Sequence, residues 1–571
     1  MSCFQGVGGR VVSHGHDLSW EEYERSLKPH ERPTMPGSPA TPDHHWRRRI
    51  AYGATGFVVA MTGSLGNAAV QANLPNLQGS LGITPVEAAW LPVVFVMTNA
   101  CMNLILVKFR QQYGLRLFTQ IFLLAFLAIS VAPLVFEDYV STLAVRAVAG
   151  MAAAGLSSLG FLYIIQALPA QHRLKALMLG IGVSGLAPPL ARVIMPDLLL
   201  IDDWRGFYVF ELGMVLVCLA ATFSLKLPPS QRMKVFEPLD FVTFALFAPG
   251  VALLSAVLGL GRIVWWFEAP WIGWALIGAI VLLTAAILIE FNRSNPLIDL
   301  RWLAGQDVAR LILAILVVRI VLAEQNTGAL GFLQAMGLGP DQLLGLFTVI
   351  LIASAVGTVL IALLVNPLKA ERPIAVALAL IAVGAFLDSQ ATVLTRPVNL
   401  YLSQALLAFA AAIFIGPAML IGLGNALRQG PKTFVSFIVV FSVGQNIGGL
   451  AGSALTGTVQ VLREKFHSNQ LAESMTLLDP QVVQRLQQLS GAYGRVITDP
   501  AQRDGVGLRL LGQQITQQAN VLAYNDVSLM IAVIAAVAAV WMTFHYIRGQ
   551  LAQQRQAAQP ASPPPASLDA D

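Results

Sequence analysis

The chain has 571 residues, of which 56% are hydrophobic and 12% charged, with a mean hydropathy of +0.66. An ordinary soluble domain carries about 25% charged residues, so this composition excludes a water-facing globular protein and places the chain in a bilayer. The formal net charge of +5 then belongs to loops and not to a nucleic-acid patch, and the three cysteines, Cys3, Cys101 and Cys218, show no spacing for a disulfide framework or metal site.

The first 46 residues are rich in Pro, Gly and His and contain no apolar run that would make a signal peptide. They are expected to be a disordered cytoplasmic tail, in which His14, His16, His44 and His45 have no fixed geometry for a metal and Met35 offers a second start. Apolar runs of spanning length come next, at about 50–74, 87–107, 117–135, 139–168, 176–200 and 205–226. A further pair is expected at about 239–261 and 270–291, and six more at about 308–333, 342–365, 373–393, 398–427, 433–462 and 525–547. The expectation is an all-α polytopic protein with fourteen spanning helices.

Basic residues mark the cytoplasmic loops. Arg47, Arg48, Arg49, Lys108, Arg110, Arg116, Arg173, Lys175, Lys226, Arg232, Lys234, Arg293, Arg301, Lys369, Arg372, Arg428, Lys432 and Arg548 fall on one side against only Arg205, Arg262 and Arg396 in the opposite short loops, which puts both termini in the cytoplasm and residues 463–524 outside. In that external segment Val482, Val483, Leu486 and Leu489, then Leu508, Leu511, Ile515 and Leu522, repeat at helical spacing, so two amphipathic helices are expected. The domain organisation reads as 1–46 tail, 47–227 six-helix bundle, 228–307 inserted helix pair and loop, 308–547 second six-helix bundle, and 548–571 disordered tail.

Several motif matches do not carry chemistry. GIGVSG at Gly180–Gly185 fits a dinucleotide fingerprint but lies in a spanning helix with no preceding strand. GNALRQGPKT at Gly424–Thr433 has the wrong glycine spacing for a phosphate loop. Gly444, Gly448 and Gly452, four residues apart, form a smooth ridge for close helix packing. No Ser, His and carboxylate set falls on neighbouring spans, so an enzyme is not expected, nor any cofactor beyond an ion gradient as energy source.

With these spans in place, five stretches resemble the fourteen-helix drug:proton antiporters of the major facilitator superfamily, the EmrB/QacA type, over about residues 50–547. LGNAAVQANLPNLQGSLG is similar to the first-span motif, with Leu74, Pro75 and Gln78 in step. RAVAGMAAAGLSSLGFLYIIQALPAQHR resembles the fourth-span motif and its exit at Arg146, Gly150, Pro169 and Arg173. DWRGFYVFELG, NPLIDLRWL and GQQITQQANVLAYNDV match the approach to the sixth span, the loop after the eighth and the approach to the last. Gly114 and Arg116 resemble the conformational-switch loop after the second span. The departures are Gly66 in place of a membrane aspartate, Ala149 beside Arg146, Val107 and Arg110 in the switch loop, and APPLAR at Ala187–Arg192 in place of the antiporter signature.

The resemblance implies a major facilitator fold of two six-helix bundles plus two extra spans. It implies an inner-membrane exporter, driven by the proton gradient and working with a periplasmic membrane-fusion protein and an outer-membrane channel. Uptake of a small organic anion and a non-transporting binding or sensor protein stand as alternatives.

Charged groups at depth point to the site. Counting about 1.5 Å per residue from Arg310 puts Arg319 roughly 14 Å and Glu324 about 21 Å into the layer. A charge there needs a wet cavity or a partner, and five residues of separation turn the two side chains about 140° apart on a helix, so their partners are expected on other spans. Arg146 and Arg192 are the candidates for Glu324, with Gln71, Asn73, Gln445 and Asn446 completing a hydrated cavity between the halves, and Glu211 and Asp388 as secondary candidates nearer the outer surface. Alternatively, Arg319 and Glu324 pin helices through static hydrogen bonds. The excess of arginine over carboxylate at depth points to anionic or weakly acidic amphipathic aromatic substrates.

Overall fold

The computed structural model describes residues 11–557 apart from 14–15, 19, 30, 33–38, 137, 199–204, 230–233, 294–295 and 367–369. Cys3, His14, Met35 and residues 558–571 of the expected C-terminal tail lie outside the described residues.

The spans form where apolar runs meet strong end signals. α1 covers Trp46–Ala72, and α2, Pro85–Tyr113, starts at a capping box in which Thr84 Oγ1 accepts from Glu87 N and the Glu87 carboxylate accepts from Thr84 N at 2.8 Å. Gly114, at φ +86°, supplies the tight turn into α3, Leu115–Ser130, a conformation that disfavours a side chain. α4, Tyr139–Ala167, is capped by Asp138. α5 is broken at Leu186 into Arg173–Gly185 and Ala187–Leu198, bent by 42°. α6 covers Arg205–Ser224.

α7, Pro238–Leu260, and α8, Pro270–Phe291, form the inserted hairpin. α9 runs over Gln306–Leu322 and continues through a π turn, Glu324–Ala329, into Leu330–Ala335. α10 covers Leu344–Leu364, α11 Glu371–Asp388 and α12 Tyr401–Gln429. α13, Pro431–Ser474, and α14, Pro500–Ala557, have 44 and 58 residues, far more than the roughly 20 that cross a bilayer. Between them lies the helix Pro480–Gly491, so the two external helices expected from the pattern are this one and the extension of α14. Eleven of the described helices are long and apolar enough to span, and the bent α5 gives a twelfth. The other two expected spans are α1 and α11, which are helical but fall outside that apolar set.

Each half has its own core. In the first, Val59, Phe118, Leu123, Val145, Leu156 and Leu159 pack together, and α1 meets α4 so closely that a Cβ on Gly160 would lie 2.9 Å from Ala60 N. In the second, Val321, Ile381, Leu407, Phe414 and Ile531 do the same. A third cluster joins the halves at the end where basic residues concentrate, with Leu104, Val107 and Leu177 meeting Ala362, Leu423 and Phe437.

Ahead of α1, where composition leads to the expectation of a disordered tail, Trp20–Ser26 is helical and the chain straps across the basic end. Val11–Ser13 and His16–Leu18 pair as a short antiparallel hairpin. The strap holds because otherwise lone polar groups find partners. Gln166 Nε2 donates to Ala40 O at 2.8 Å, and its other end lies 3.0 Å from His44 Nε2. Burial, opposed by the Gln166 hydrogen bond, holds the His44 imidazole below its usual pKa.

The inserted hairpin is fastened at both ends. At the basic end Lys108 of α2 contacts both oxygens of Asp240 at 2.8 and 2.9 Å, and Arg293 reaches Asp240 and Glu237 at 2.8 Å and Glu290 at 2.7 Å. At the opposite end Trp266 Nε1 donates to Thr458 Oγ1 of α13 at 2.9 Å. Trp265, held at φ 56°, lies under the Lys465 ammonium. Removing one member of a buried charge set leaves the others uncompensated, so Lys108→Met is expected to cost about 3 kcal/mol. It should lower the Tm in detergent, with part of the loss recovered by Lys108→Met/Asp240→Leu; a Tm equal to wild type for the single variant would count against the network.

Candidate functional site

Apart from the Lys108–Asp240–Arg293 set at the hairpin, two clusters of charged and polar side chains lie within the described spans, one in each half. In the first, Arg146 of α4 has no exposed surface and is ion-paired with Glu211 of α6. Its guanidinium stands 5.8 Å from the Phe207 ring centre, and Thr142 and Tyr208 share a hydrogen bond of 2.8 Å one turn away. The pair is not saturated: Arg146 Nε and Nη1 and Glu211 Oε1 are buried without a hydrogen-bond partner. Gly66 makes room for it, since a Cβ at that position would run into Glu211 Oε1. Thr62, Leu65, Gly66, Phe126 and Glu211 line a small hollow beside the pair.

In the second cluster Glu324 opens the π turn of α9 and is fully buried. Gln404 of α12 donates through one Nε2 to Glu324 Oε2 at 3.2 Å and to Asp388 Oδ2 of α11 at 2.7 Å. The Ser403 hydroxyl donates to Asp388 Oδ1. Glu324 Oε1 and Gln404 Oε1 have no partner among the described residues. A narrow cleft lined by Gly328, Phe332, Asp388, Tyr524, Asn525 and Ser528 reaches the cluster.

Glu324 therefore does not hold an arginine across a gap between halves, as the sequence led us to expect. Arg146 finds its carboxylate on α6 in its own half, and the Arg192 guanidinium lies 4.8 Å over the Phe347 ring of α10, a contact between halves. Arg319 and Glu324 are not paired, in keeping with their angular separation. Arg319 instead packs along α13: a Cβ on Gly448 would sit 3.0 Å from Arg319 Cβ, and one on Gly449 2.6 Å from its Nη2. The glycine ridge is thus a packing surface for an arginine.

Gln71 is exposed, and Asn73, although buried, donates to Ala69 O of its own helix at 3.2 Å, so both stay at the far end of α1. Gln445 is partly buried. Asn446 joins the halves, donating to Asn99 Oδ1 of α2 at 3.0 Å. Gly114 and Arg116 lie at the α2–α3 turn. Sequence reasoning missed Ser403, Gln404 and Asn99; the available signal was only that amides and hydroxyls interrupt otherwise apolar runs. Among the described residues no group of His, Cys, Asp and Glu has the arrangement of a metal site.

The family model for the Major Facilitator Superfamily matches residues 56–453. The chain is 22% identical over 531 residues to the Probable multidrug resistance protein EmrY of Escherichia coli (strain K12), covering 88% of this chain and 96% of that protein. It is 25% identical over 244 residues to the Major facilitator superfamily multidrug transporter mfsC of Aspergillus fumigatus, covering 42% of this chain and 46% of the relative. The chain thus spans about half the length of such fungal relatives. Among solved structures, the human organic anion transporter MFSD10 (TETRAN) superposes with a TM-score of 0.52 at 14% identity, covering 86% of this chain and all of that one.

Because the space at Gly66 is taken by the Glu211 carboxylate, Gly66→Ala is expected to cost about 1–3 kcal/mol by overpacking. Thermal unfolding in detergent should show a lower Tm that the shorter Glu211→Asp partly recovers in the double variant. An unchanged Tm in Gly66→Ala would rule out the tight fit.

Proposed function

The chain belongs to the major facilitator superfamily, and we propose that this transporter is a proton-coupled exporter of small amphipathic organic molecules in a cell inner membrane, with both termini in the cytoplasm. The observation that carries the reading is the cluster of Glu324, Asp388 and Gln404, two buried carboxyls bridged by one amide and reached by a cleft. Carboxyls kept away from bulk water are costly when ionised and acceptable when protonated. Proton binding at Glu324 therefore favours the occluded packing, and proton loss favours a conformation that readmits water. Alternating access follows if the two hydration states belong to opposite faces of the membrane.

The first half supplies a different element. Arg146 and Glu211 neutralise each other, yet the Arg146 nitrogens Nε and Nη1 donate to nothing. An anionic or weakly acidic aromatic substrate has the chemistry to take them and to compete with Glu211 for the guanidinium. Relatives named as a multidrug transporter and a probable multidrug resistance protein support drug-like substrates. Uptake of a small organic anion is the second reading, favoured by the same unsatisfied arginine.

The closure at the basic end fits the cycle. Leu104, Leu177, Ala362, Leu423 and Phe437 meet there through apolar side chains, so the halves separate at that end without orphaning a buried hydrogen-bonding group among them. The long α13 and α14, with Leu478 and Val496 at 92% and 82% exposure near their far ends, support a further partner, a periplasmic membrane-fusion protein with its outer-membrane channel.

Glu324→Gln is expected to abolish flux driven by an imposed pH gradient in proteoliposomes while leaving expression intact; undiminished flux would remove Glu324 from the mechanism. In the same framework, cells producing the wild type should tolerate a weak-acid uncoupler better than a quaternary ammonium dye, and the reverse order would count against anionic substrates. Deleting residues 470–510 should abolish co-purification with a coexpressed membrane-fusion protein, and retained co-purification would refute that partner surface.

A further inference from the structure

We propose that Glu324 and Asp388 hold one exchangeable proton between them, so that the pair, with Gln404 as its strap, is the proton-binding unit of the second half. The inference rests on the proton-coupled reading and goes beyond it, because that reading needs only Glu324.

The geometry is specific. One Gln404 Nε2 donates to an oxygen of each carboxyl, at 3.2 Å to Glu324 and 2.7 Å to Asp388, and so holds both side chains around a common donor. Glu324 has no exposed surface and Asp388 and Gln404 are 5% and 0% exposed. Asp388 takes the Ser403 hydroxyl on its other oxygen, whereas Glu324 Oε1 has no partner among the described residues. That free oxygen lies against Gly328, where a Cβ would approach it to 2.9 Å, and Gly328 lines the cleft together with Asp388. The unit thus has an unfilled acceptor beside a small hollow.

Among the described residues no cation offsets two negative charges there. On α9, Arg319 is turned into the Gly448 and Gly449 ridge of α13. From α14 the facing titratable group is Tyr524, packed over Gly331, while Asp526 is occupied by Arg463 and His467 of α13 at 2.5 and 2.7 Å. α12 presents the neutral Ser403 and Gln404. Two carboxylates sharing a low-dielectric site do not both ionise, and one proton is enough to convert repulsion into attraction. The step is balanced simply: a proton from water forms an O–H bond on one carboxyl oxygen, the unit passes from two negative charges to one, and water takes the proton back on release.

The test uses purified full-length protein and infrared spectroscopy of the protonated-carboxyl band between about pH 5 and 9. Wild type is expected to keep the band at neutral pH, and both Glu324→Gln and Asp388→Asn are expected to lose it at a lower pH than wild type, since the remaining carboxyl no longer faces a second negative charge. The same two variants, checked for monodispersity and helix content, should each lower pH-gradient-driven flux of anilinonaphthalene sulfonate at least tenfold, with the double variant no worse. A band and flux retained in Asp388→Asn but lost in Glu324→Gln would overturn the pair and leave the single-residue reading. Wild type without any response to a pH gradient would overturn the coupling reading and the pair's role with it. Loss of the wild-type band on adding sodium at constant pH would assign the unit to a metal cation and overturn the shared proton.

Discussion

A charge buried among apolar helices must meet an opposite charge, a set of donors or a proton, because the low-dielectric surroundings return none of the hydration it has lost. The two halves of this transporter meet that requirement in different ways. In the first, Arg146 and Glu211 cancel without any ligand. In the second, Glu324 and Asp388 have an amide and a hydroxyl but, among the described residues, no cation. In the proposed cycle the first cluster answers to substrate charge and the second to proton supply, the division of labour that coupling two fluxes requires.

Other cations within the spans are accommodated by shape. Arg319 is laid along a glycine ridge and Arg192 over an aromatic face. The contacts between halves are correspondingly light in polar bonds, the Asn99–Asn446 amide pair being a weak neutral link beside an apolar closure. The inserted hairpin contrasts with this. Lys108, Asp240 and Arg293 tie its basic end to α2, and Trp266 ties its far end to α13. It therefore bridges elements of both halves, with its strongest bonds on the first.

The likeness to the EmrB/QacA type locates Gly66 as a departure, and the structure supplies the physical reason for tolerating it. The space that a side chain at 66 would occupy holds the Glu211 carboxylate, so the acid facing Arg146 comes from α6. Removing a side chain from one helix and adding a carboxylate to a neighbouring helix leaves local charge and volume similar, which a motif comparison of one span does not register.

Much of the architecture was legible in the chain itself. Bilayer thickness sets a length of apolar run that few other constraints produce, so α1 through α12 fall close to the expected segments, α13 and α14 run well past theirs, and basic residues collect at one end of them. That Arg319 and Glu324 lie deep also comes from counting along a helix, whereas Asp388, read from the sequence as nearer the outer surface, is buried on the same Gln404 amide as Glu324. Their partners do not. A helix fixes the depth of a side chain, but its rotation and its neighbours depend on packing against other helices, and a π turn at Glu324 alters the facing direction of the residues beyond it. Hence Gln404, one amide in an apolar run, gave no sequence signal of bridging two carboxyls. That pairing, the Glu211–Arg146 bond and the packing of Arg319 against glycines were decided only when six helices closed around each core, because partner choice is a property of the packed interior and not of any segment within it.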